Sequence, residues 1–258
     1  MTSVPELAVD LEAEQQSLDG VVSAISEEQW RLPTPSPGWS VADQIGHLSY
    51  FDASAALAIT DPDVFVVSAA RLAAPDADVD ALTLHRDLAP AALLDTWRAN
   101  RLVLHEAAST LDDQSRVVWY GPPMSAKSFL TARLMECWAH GHDVVETVGA
   151  DVQPTDRLRH IAQLGFITRK WTYINRGLES PDVDIRVELT GPSGDTWTFG
   201  PDSVERVTGP ALDFCLVVTQ RRNVDDTALT VDGNAARDWM SKAQAFAGAP
   251  TDPPGPVS

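Results

Sequence analysis

Residues 133–146 read RLMECWAHGHDVVE and belong to a segment with strong helical periodicity. Glu136 and His140 lie four residues apart, so a helix places them one turn apart on the same face. Asp143 follows His140 by three residues and returns to that face, whereas His142 points elsewhere. The carboxylate and the imidazole can therefore converge on one metal ion. Asp143 is predicted to support His140 by accepting its free ring N–H.

A second histidine, His47, lies in the upstream segment SVADQIGHLSYFD. Ser40 and Asp43 have the spacing of a capping box, which predicts that a helix begins here. His47 lies close to the apolar face of this helix, where an imidazole needs a partner in the core. In a helical bundle, side chains that project inward from two facing helices can form a metal site.

We therefore predict that His47, Glu136 and His140 bind one divalent metal ion. Two histidines and one glutamate suit zinc, iron, nickel or manganese, and zinc is the expected metal. Three protein ligands leave coordination positions open for water or substrate, as in catalytic sites. An alternative without any metal exists, because Glu–His pairs are common on helix surfaces and a histidine in a core is often only hydrogen-bonded. Cys137 is interpreted as a small core residue, since one step along the helix rotates it away from Glu136.

The remaining periodicity predicts a mainly α fold. Helices about 20 residues long with fairly short connections favour an antiparallel bundle of the four-helix type. The predicted helices cover residues 7–25, 40–59, 61–72, 90–111, 125–148 and 155–175.

After residue 180 the pattern changes. Residues 184–200 alternate apolar and polar side chains around a PSGD turn, which predicts a β-hairpin. A helix over 209–222, a strand over 227–233 and a last helix over 234–248 follow. The predicted domains are therefore a bundle at 1–180, a small α+β domain at 181–250, and a Pro-rich disordered tail at 251–258.

Composition narrows the classes of function. The chain has 19 basic and 37 acidic residues, a formal charge of −18, which makes nucleic acid and anionic membranes poor partners. No apolar run is long enough to span a bilayer, and the N-terminal sequence lacks the pattern of a signal peptide. The two cysteines make no disulfide framework. These features predict a cytoplasmic globular protein.

The segment GWSVADQIGHL, followed later by RLMECWAHGHDVVE, resembles the DinB-like metal-binding bundles. The closest match is the N-terminal domain of the mycothiol-dependent maleylpyruvate isomerases. In that family a Trp-Ser/Thr pair opens the second helix, a histidine follows within it, and a later helix carries E-x-x-x-H-x-x-D. The matching positions here are Trp39, Ser40, His47, Glu136, His140 and Asp143. The resemblance covers roughly residues 7–150 and implies the same three metal ligands that the spacing predicts.

The C-terminal segments also resemble the smaller α+β domain of that family. The resemblance implies that an arginine of this domain holds the acidic substrate, and the matching residue is Arg221 or Arg222. The simpler interpretation of this pair is a solvated helix end, where cations suit the helix dipole.

Two functions follow from the resemblance. In the first, the chain is an enzyme that binds mycothiol at its metal and uses the thiolate on a small electrophilic substrate, giving an isomer or an S-conjugate. In the second, it is a non-catalytic metal-binding or stress-response protein, in which Asp143 or His142 would close the metal site as a fourth ligand.

Overall fold

The computed structural model describes residues 2–74 and 76–257, which form two compact units divided between Val152 and Gln153. The first unit is a helical bundle, and the second is a small α+β unit, so the predicted mainly α fold class is confirmed. No helix in the described part of the chain is long and apolar enough to cross a membrane.

Four long helices build the first unit. Helix α2 packs mainly against α5 and also against α6, and α1 packs against α6. The helices of this unit are α1 (Val4–Val22), α2 (Val41–Thr60), α3 (Pro62–Leu72), α4 (Val79–Thr83), α5 (Pro90–Ala108) and α6 (Ala126–Val148). Between α5 and α6 the chain forms an antiparallel hairpin of β1 (Arg116–Trp119) and β2 (Gly121–Ser125), which the sequence analysis treated as a connection.

The start of α2 is fixed as predicted. The Ser40 hydroxyl accepts a hydrogen bond from the Asp43 amide, and the Asp43 carboxylate accepts one from the Ser40 amide at 2.8 Å. Upstream, an isolated bridge between Pro33 and Ser40 closes the Pro-rich loop. The two hydrogen bonds of this capping box use amide N–H groups that would otherwise lack partners at the start of the helix. They therefore fix the residue at which α2 begins.

Gly46 brings a loop close to this helix. A Cβ at Gly46 would fall well inside van der Waals contact with the Leu84 carbonyl, so only glycine allows this approach. The loop residue after Leu84 is His85, which has a φ of 50°, an uncommon value for a residue with a side chain.

The second unit has a four-stranded sheet in the order β4–β3–β5–β6. Strands β3 and β4 form the predicted antiparallel hairpin, with Val187 opposite Phe199. Strand β5 is parallel to β3, and β6 is antiparallel to β5. The elements of this unit are α7 (Leu158–Ile167), α8 (Arg169–Asn175), β3 (Arg186–Thr190), β4 (Thr196–Phe199), β5 (Arg206–Pro210), α9 (Ala211–Val218), β6 (Thr230–Asp232) and α10 (Asn234–Met240).

The division between units differs from the predicted boundary near residue 180. Helices α7 and α8 belong to the second unit, because the apolar face of α7 packs on α9. Gly165 of α7 lies so close to Val218 that a Cβ would overlap its side chain. The helical spacing of apolar residues shows that one face of a helix is buried, but it does not show which neighbouring element that face packs against.

The C-terminal tail also differs from the prediction of disorder. Residues 251–257 have no helix or strand, but their backbone is hydrogen-bonded to the second unit. The Asn223 side chain donates to the Pro254 carbonyl at 2.8 Å, and the Val257 amide donates to the Asp226 carboxylate at 2.9 Å. Side chains that are distant in sequence form hydrogen bonds with residues 251–257, a segment whose composition alone predicts disorder.

Candidate metal centre

Helices α2 and α6 bring the three predicted ligands together. Glu136 Oε2 lies 3.1 Å from His140 Nε2 and 3.7 Å from His47 Nε2. The two imidazole rings are 4.4 Å apart between centroids. One ligand atom from each of the three residues lies within 4.8 Å of the others, so the group could hold a single metal ion.

The site is close to the surface of the bundle. The relative side-chain exposure is 18% for His47, 25% for Glu136 and 11% for His140. Trp39 stacks on His140 with centroids 5.8 Å apart, and Phe51 lies 4.6 Å from the His47 ring. These two aromatic rings pack against the imidazoles and restrict their rotation.

Gln44, one turn before His47, orients His140. The Gln44 Oε1 atom lies 2.5 Å from His140 Nδ1. The amide nitrogen of Gln44 donates to Thr34 Oγ1 at 2.8 Å and to Asp143 Oδ2 at 3.4 Å. Because two acceptors face the nitrogen, the oxygen must face the imidazole. The sequence analysis missed Gln44, although its place three residues before His47 puts both on nearly the same helix face.

Asp143 supports the site through Gln44. Its carboxylate is buried, accepts a hydrogen bond from Ser36 at 3.1 Å, and accepts the one from Gln44. The predicted role of Asp143 was to accept the ring N–H of His140 directly. In the structure the acceptor at that N–H is Gln44, and Asp143 fixes the orientation of the Gln44 amide.

This network fits a metal ion between the ligands. His140 Nδ1 carries the proton that it donates to Gln44, so a neutral His140 presents the lone pair of Nε2 to Glu136. At 3.1 Å from the carboxylate oxygen, Nε2 needs either a proton that it donates to Glu136 or a cation between the two atoms. A divalent ion that binds both atoms satisfies this arrangement, and it needs no charged imidazole.

The electrostatics of His47 favour the same state. Burial and the neighbouring His140 lower the pKa of His47 to about 4. Burial alone would raise the pKa of Glu136, but the neighbouring imidazoles of His140 and His47 hold it well below its usual range. At neutral pH the site therefore offers a neutral imidazole and an ionised carboxylate, the forms that bind metal.

A buried cation lies beside the metal centre. Arg133 is three residues before Glu136 and seven before His140, so the three share one face of α6. Its side chain is only 3% exposed, and Nη2 donates to Asp52 Oδ1 at 2.9 Å. The guanidinium carbon lies 6.0 Å from the centroid of Phe51, the ring that also contacts His47. Neither Arg133 nor Asp52 was among the predicted site residues; the spacing of 133, 136 and 140 could have indicated Arg133 but not its partner on α2.

Cys137 occupies the position predicted for a core residue. It is 2% exposed, and burial raises the pKa of its thiol well above the usual value. Cys215 in the second unit is fully buried as well. Neither thiol is a ligand candidate at the metal centre.

Arg221 and Arg222 lie in the second unit, beyond the end of α9. The helix ends at Val218, so the pair does not form the predicted helix end. Gln220 has a φ of 58°, which turns the chain before the pair, and Arg221 Nη1 donates to the Thr219 carbonyl at 2.8 Å. Their part in substrate binding stays a prediction.

The fold and the site together define a class, that of helical bundles with a His–Glu–His group on two facing helices. A family model described as the mycothiol maleylpyruvate isomerase N-terminal domain matches residues 11–145. The chain belongs to this family.

Two relatives and two solved structures are similar over most of the chain. Two uncharacterized proteins of Mycobacterium tuberculosis, from strains CDC 1551 / Oshkosh and ATCC 25618 / H37Rv, are each 46% identical over 244 residues, which is 93% of this chain and 95% of theirs. Crystal structures of the mycothiol-dependent maleylpyruvate isomerase and of a histidine-to-alanine mutant share 20% identity with this chain. They have TM-scores of 0.58 and 0.61 and cover 90% of this chain and 95% of theirs. At this identity the structures bear out the fold.

Proposed function

We propose that this protein is a cytoplasmic enzyme that uses one divalent metal ion, expected to be zinc, and mycothiol to transform a small electrophilic substrate. The product is an isomer if the thiol leaves again and an S-conjugate if it stays. The observation that carries the proposal is the convergence of His47, Glu136 and His140, of which one ligand atom each lies within 4.8 Å of the others. The family membership supports mycothiol as the thiol.

The protein side chains have separate tasks. His47, Glu136 and His140 would hold the ion, and Gln44 and Asp143 would keep His140 in the correct tautomer. When bound, the ion would supply an open coordination position and the positive charge that lowers the pKa of a thiol.

A substrate carboxylate would need a cation. The resemblance to the isomerases supports Arg221 or Arg222 in this task, and guanidinium groups suit carboxylates because they donate two parallel hydrogen bonds. The alternative function, a non-catalytic metal-binding or stress-response protein, requires a closed site. Among the described residues the ligand group contains three side chains, and the Asp143 carboxylate is engaged by Ser36 and Gln44, which favours the open, catalytic form.

Replacing the native metal with cobalt tests the proposal. Protein purified without an affinity tag is first analysed for metal, and we expect one ion per chain that is lost in His47→Ala. Titration of the cobalt protein with mycothiol should then give a sulfur-to-cobalt charge-transfer band. Maleylpyruvate and simple electrophiles are tested for turnover in the presence of the thiol. If cobalt binds but no band appears and no substrate is consumed, the enzyme proposal fails and the metal-binding alternative replaces it.

A further inference from the structure

A cavity opens between α1 and α5, on residues that the proposed function does not use. Helix α1 packs mainly against α6, and α5 packs mainly against α2, so the first half of α1 and the end of α5 leave a cleft between them. The cavity has a volume of about 290 Å³, the size of a site for a small molecule. The apolar part of its wall consists of Pro5, Ala8, Val9, Ala108 and Leu111.

The polar part of the wall includes His105, whose tautomer is determined from the core. The buried Asp52 accepts hydrogen bonds from Gln15 Nε2 at 2.9 Å and from Trp97 Nε1 at 3.1 Å. Because the nitrogen of Gln15 faces Asp52, its oxygen faces His105 Nε2 at 2.8 Å, and that ring nitrogen carries the proton. Burial lowers the pKa of His105, so at neutral pH the ring is neutral and Nδ1 keeps its lone pair. Nδ1 makes no hydrogen bond within the described part of the chain.

The other two polar side chains of the wall are acceptors as well. The Ser109 hydroxyl donates its proton to the Glu106 carbonyl at 2.6 Å, which leaves its lone pairs for a ligand. The Glu12 carboxylate has no hydrogen-bond or ion-pair partner among the residues that the structure describes, and its charge acts on His105 across the cavity. The cavity also lies at the C-terminal turn of α5, where the helix dipole favours a cation. Three acceptors in such a place suit a charged donor.

The start of α1, which could attract an anion, offers no free donor to the cavity. The amide of Val4 donates to the Asp113 carboxylate at 2.8 Å, and the amides of Glu6 and Leu7 donate to the side chain and the carbonyl of Ser3. The residue between Val4 and Glu6 is a proline, which has no N–H. The donors of this helix end are therefore used within the fold, and an anion would meet only the acceptors.

We propose that the cavity between α1 and α5 is a second binding site, which takes a small primary amine with an apolar chain or ring. The ammonium group has three N–H donors, one each for Glu12, His105 and Ser109. The apolar part of the ligand packs against Ala8 and Val9. The formal charge of −18 attracts a cation to the chain, and none of the predicted metal ligands lines the cavity, so the proposal does not depend on the proposed function.

The test measures binding of three probes to the full chain by calorimetry. Phenethylamine, phenethyl alcohol and hydrocinnamate share a ring and a two-carbon chain but are a cation, a neutral molecule and an anion. The key variant is Glu12→Gln, and the matched control is Glu106→Gln, since Glu106 is an exposed glutamate near the same end of α5 whose side chain is not part of the wall. Ala8→Leu fills the cavity. Because amines also coordinate metals, the titration is repeated on metal-free His47→Ala.

We expect the wild-type protein to bind phenethylamine at least about tenfold more tightly than phenethyl alcohol, the effect of one hydrogen bond to a charged group. Hydrocinnamate should not bind. Glu12→Gln should weaken amine binding by about fivefold, as the loss of a partly exposed ion pair does, and Glu106→Gln should match the wild-type protein. Ala8→Leu should lose amine binding, and metal-free His47→Ala should keep it.

Any of four results would overturn the proposal. They are equal affinities for the amine and the alcohol, unchanged amine binding in Glu12→Gln, unchanged amine binding in Ala8→Leu, and loss of amine binding in metal-free His47→Ala, which would place the amine at the metal centre. If Ala8→Leu does not fold, the comparison of Glu12→Gln with Glu106→Gln decides the question. A missing cobalt band together with intact amine binding contradicts only the proposed thiol chemistry.

Discussion

At the scale of single residues, the metal centre depends on hydrogen bonds that position its ligands. Gln44 determines which nitrogen of His140 carries the proton, and Asp143 determines which end of the Gln44 side chain faces His140. Helical spacing and the family resemblance together predicted that His47, Glu136 and His140 converge, and the structure brings one ligand atom of each within 4.8 Å of the others, while metal binding stays a prediction. Spacing could not find the acceptor at His140, because that contact joins two helices.

Replacing Gln44 with leucine should lower metal affinity by about 10- to 100-fold, because supporting partners of ligating histidines have effects of this size. The variant removes the acceptor at His140 Nδ1, so the ring can rotate and change tautomer. Asp143→Ala should act in the same direction but less strongly, since it acts through Gln44. Competition with a chromophoric chelator measures both affinities.

Thr147→Val is the matched control for this series, since Thr147 lies on the same helix and its hydroxyl donates to the backbone carbonyl of Asp143 at 2.7 Å. Its metal affinity should equal that of the wild-type protein. Equal affinities for the wild-type protein and Gln44→Leu would show that the amide has no part in holding His140.

The lowered pKa of His47 predicts a pH dependence of the metal-free protein. The folded state binds the His47 proton with a pKa of about 4, against an ordinary value of 6.5. The unfolded chain therefore takes up this proton first, and stability that is present above pH 6.5 is lost as the pH falls toward 4. The low pKa of Glu136 has its effect only below 4.5, outside most of this window.

Thermal unfolding in the presence of a chelator, between pH 7.5 and 4.5, measures this dependence. The wild-type protein should lose more of its Tm across the window than His47→Gln. Burial lowers the pKa of His105 as well, so both proteins lose some further stability as the pH falls. The comparison between the two proteins isolates the contribution of His47. Parallel curves for the two proteins would contradict the prediction.

At the scale of secondary-structure elements, caps and close contacts determine where α2 lies. The capping box at Ser40 and Asp43 was readable from the sequence, because it is local. The approach of the Leu84 loop to Gly46 was not, since nothing in a single sequence shows that a glycine within a helix faces another segment. The hairpin of β1 and β2 was also missed, because its strands are short and contain two prolines.

Gly46→Ala should destabilise the protein by about 1–3 kcal/mol, as overpacked sites do. The new methyl group meets the Leu84 backbone, which cannot move aside as the end of a side chain could. Gly20→Ala in α1 is the matched control, because a Cβ there meets no atom within 4 Å. Alanine favours helix over glycine, so this control should be neutral or stabilising by up to about 1 kcal/mol.

Chemical denaturation of both glycine variants gives the two free energies of unfolding. Metal content measured on the same samples shows whether the loop at Leu84 supports the neighbouring His47. A Gly46→Ala protein as stable as the wild type would mean that the loop moves away without cost.

At the scale of the whole molecule, the sequence predicted the fold class, and its predicted division near residue 180 differs from the division between Val152 and Gln153 in the structure. The change from helical to alternating periodicity begins near residue 180, and it marks a change of secondary structure rather than a domain boundary. Helices α7 and α8 precede that change but pack with the elements that follow it.

The position of the division predicts how truncated chains behave. Residues 1–152 alone should fold as a helical, metal-binding protein, because the ligands and the helices around them lie within this range. Residues 1–180 should be less soluble, since α7 exposes buried side chains such as Leu158 and Ile161 when α9 is missing. Circular dichroism compares the helical content of the two fragments, and size-exclusion chromatography compares their aggregation. A longer fragment that is more helical and less aggregated than the shorter one would favour a boundary near residue 180.

The burial of both cysteines has a consequence for the proposed use of a small thiol. Mixed disulfides form when a thiolate attacks a disulfide, and neither Cys137 nor Cys215 offers an accessible thiolate. In the proposed function, oxidised forms of the thiol would therefore find no accessible sulfur on the folded chain to modify. The protein would then keep its proposed activity during oxidative stress, when the cellular pool of thiols becomes partly disulfide.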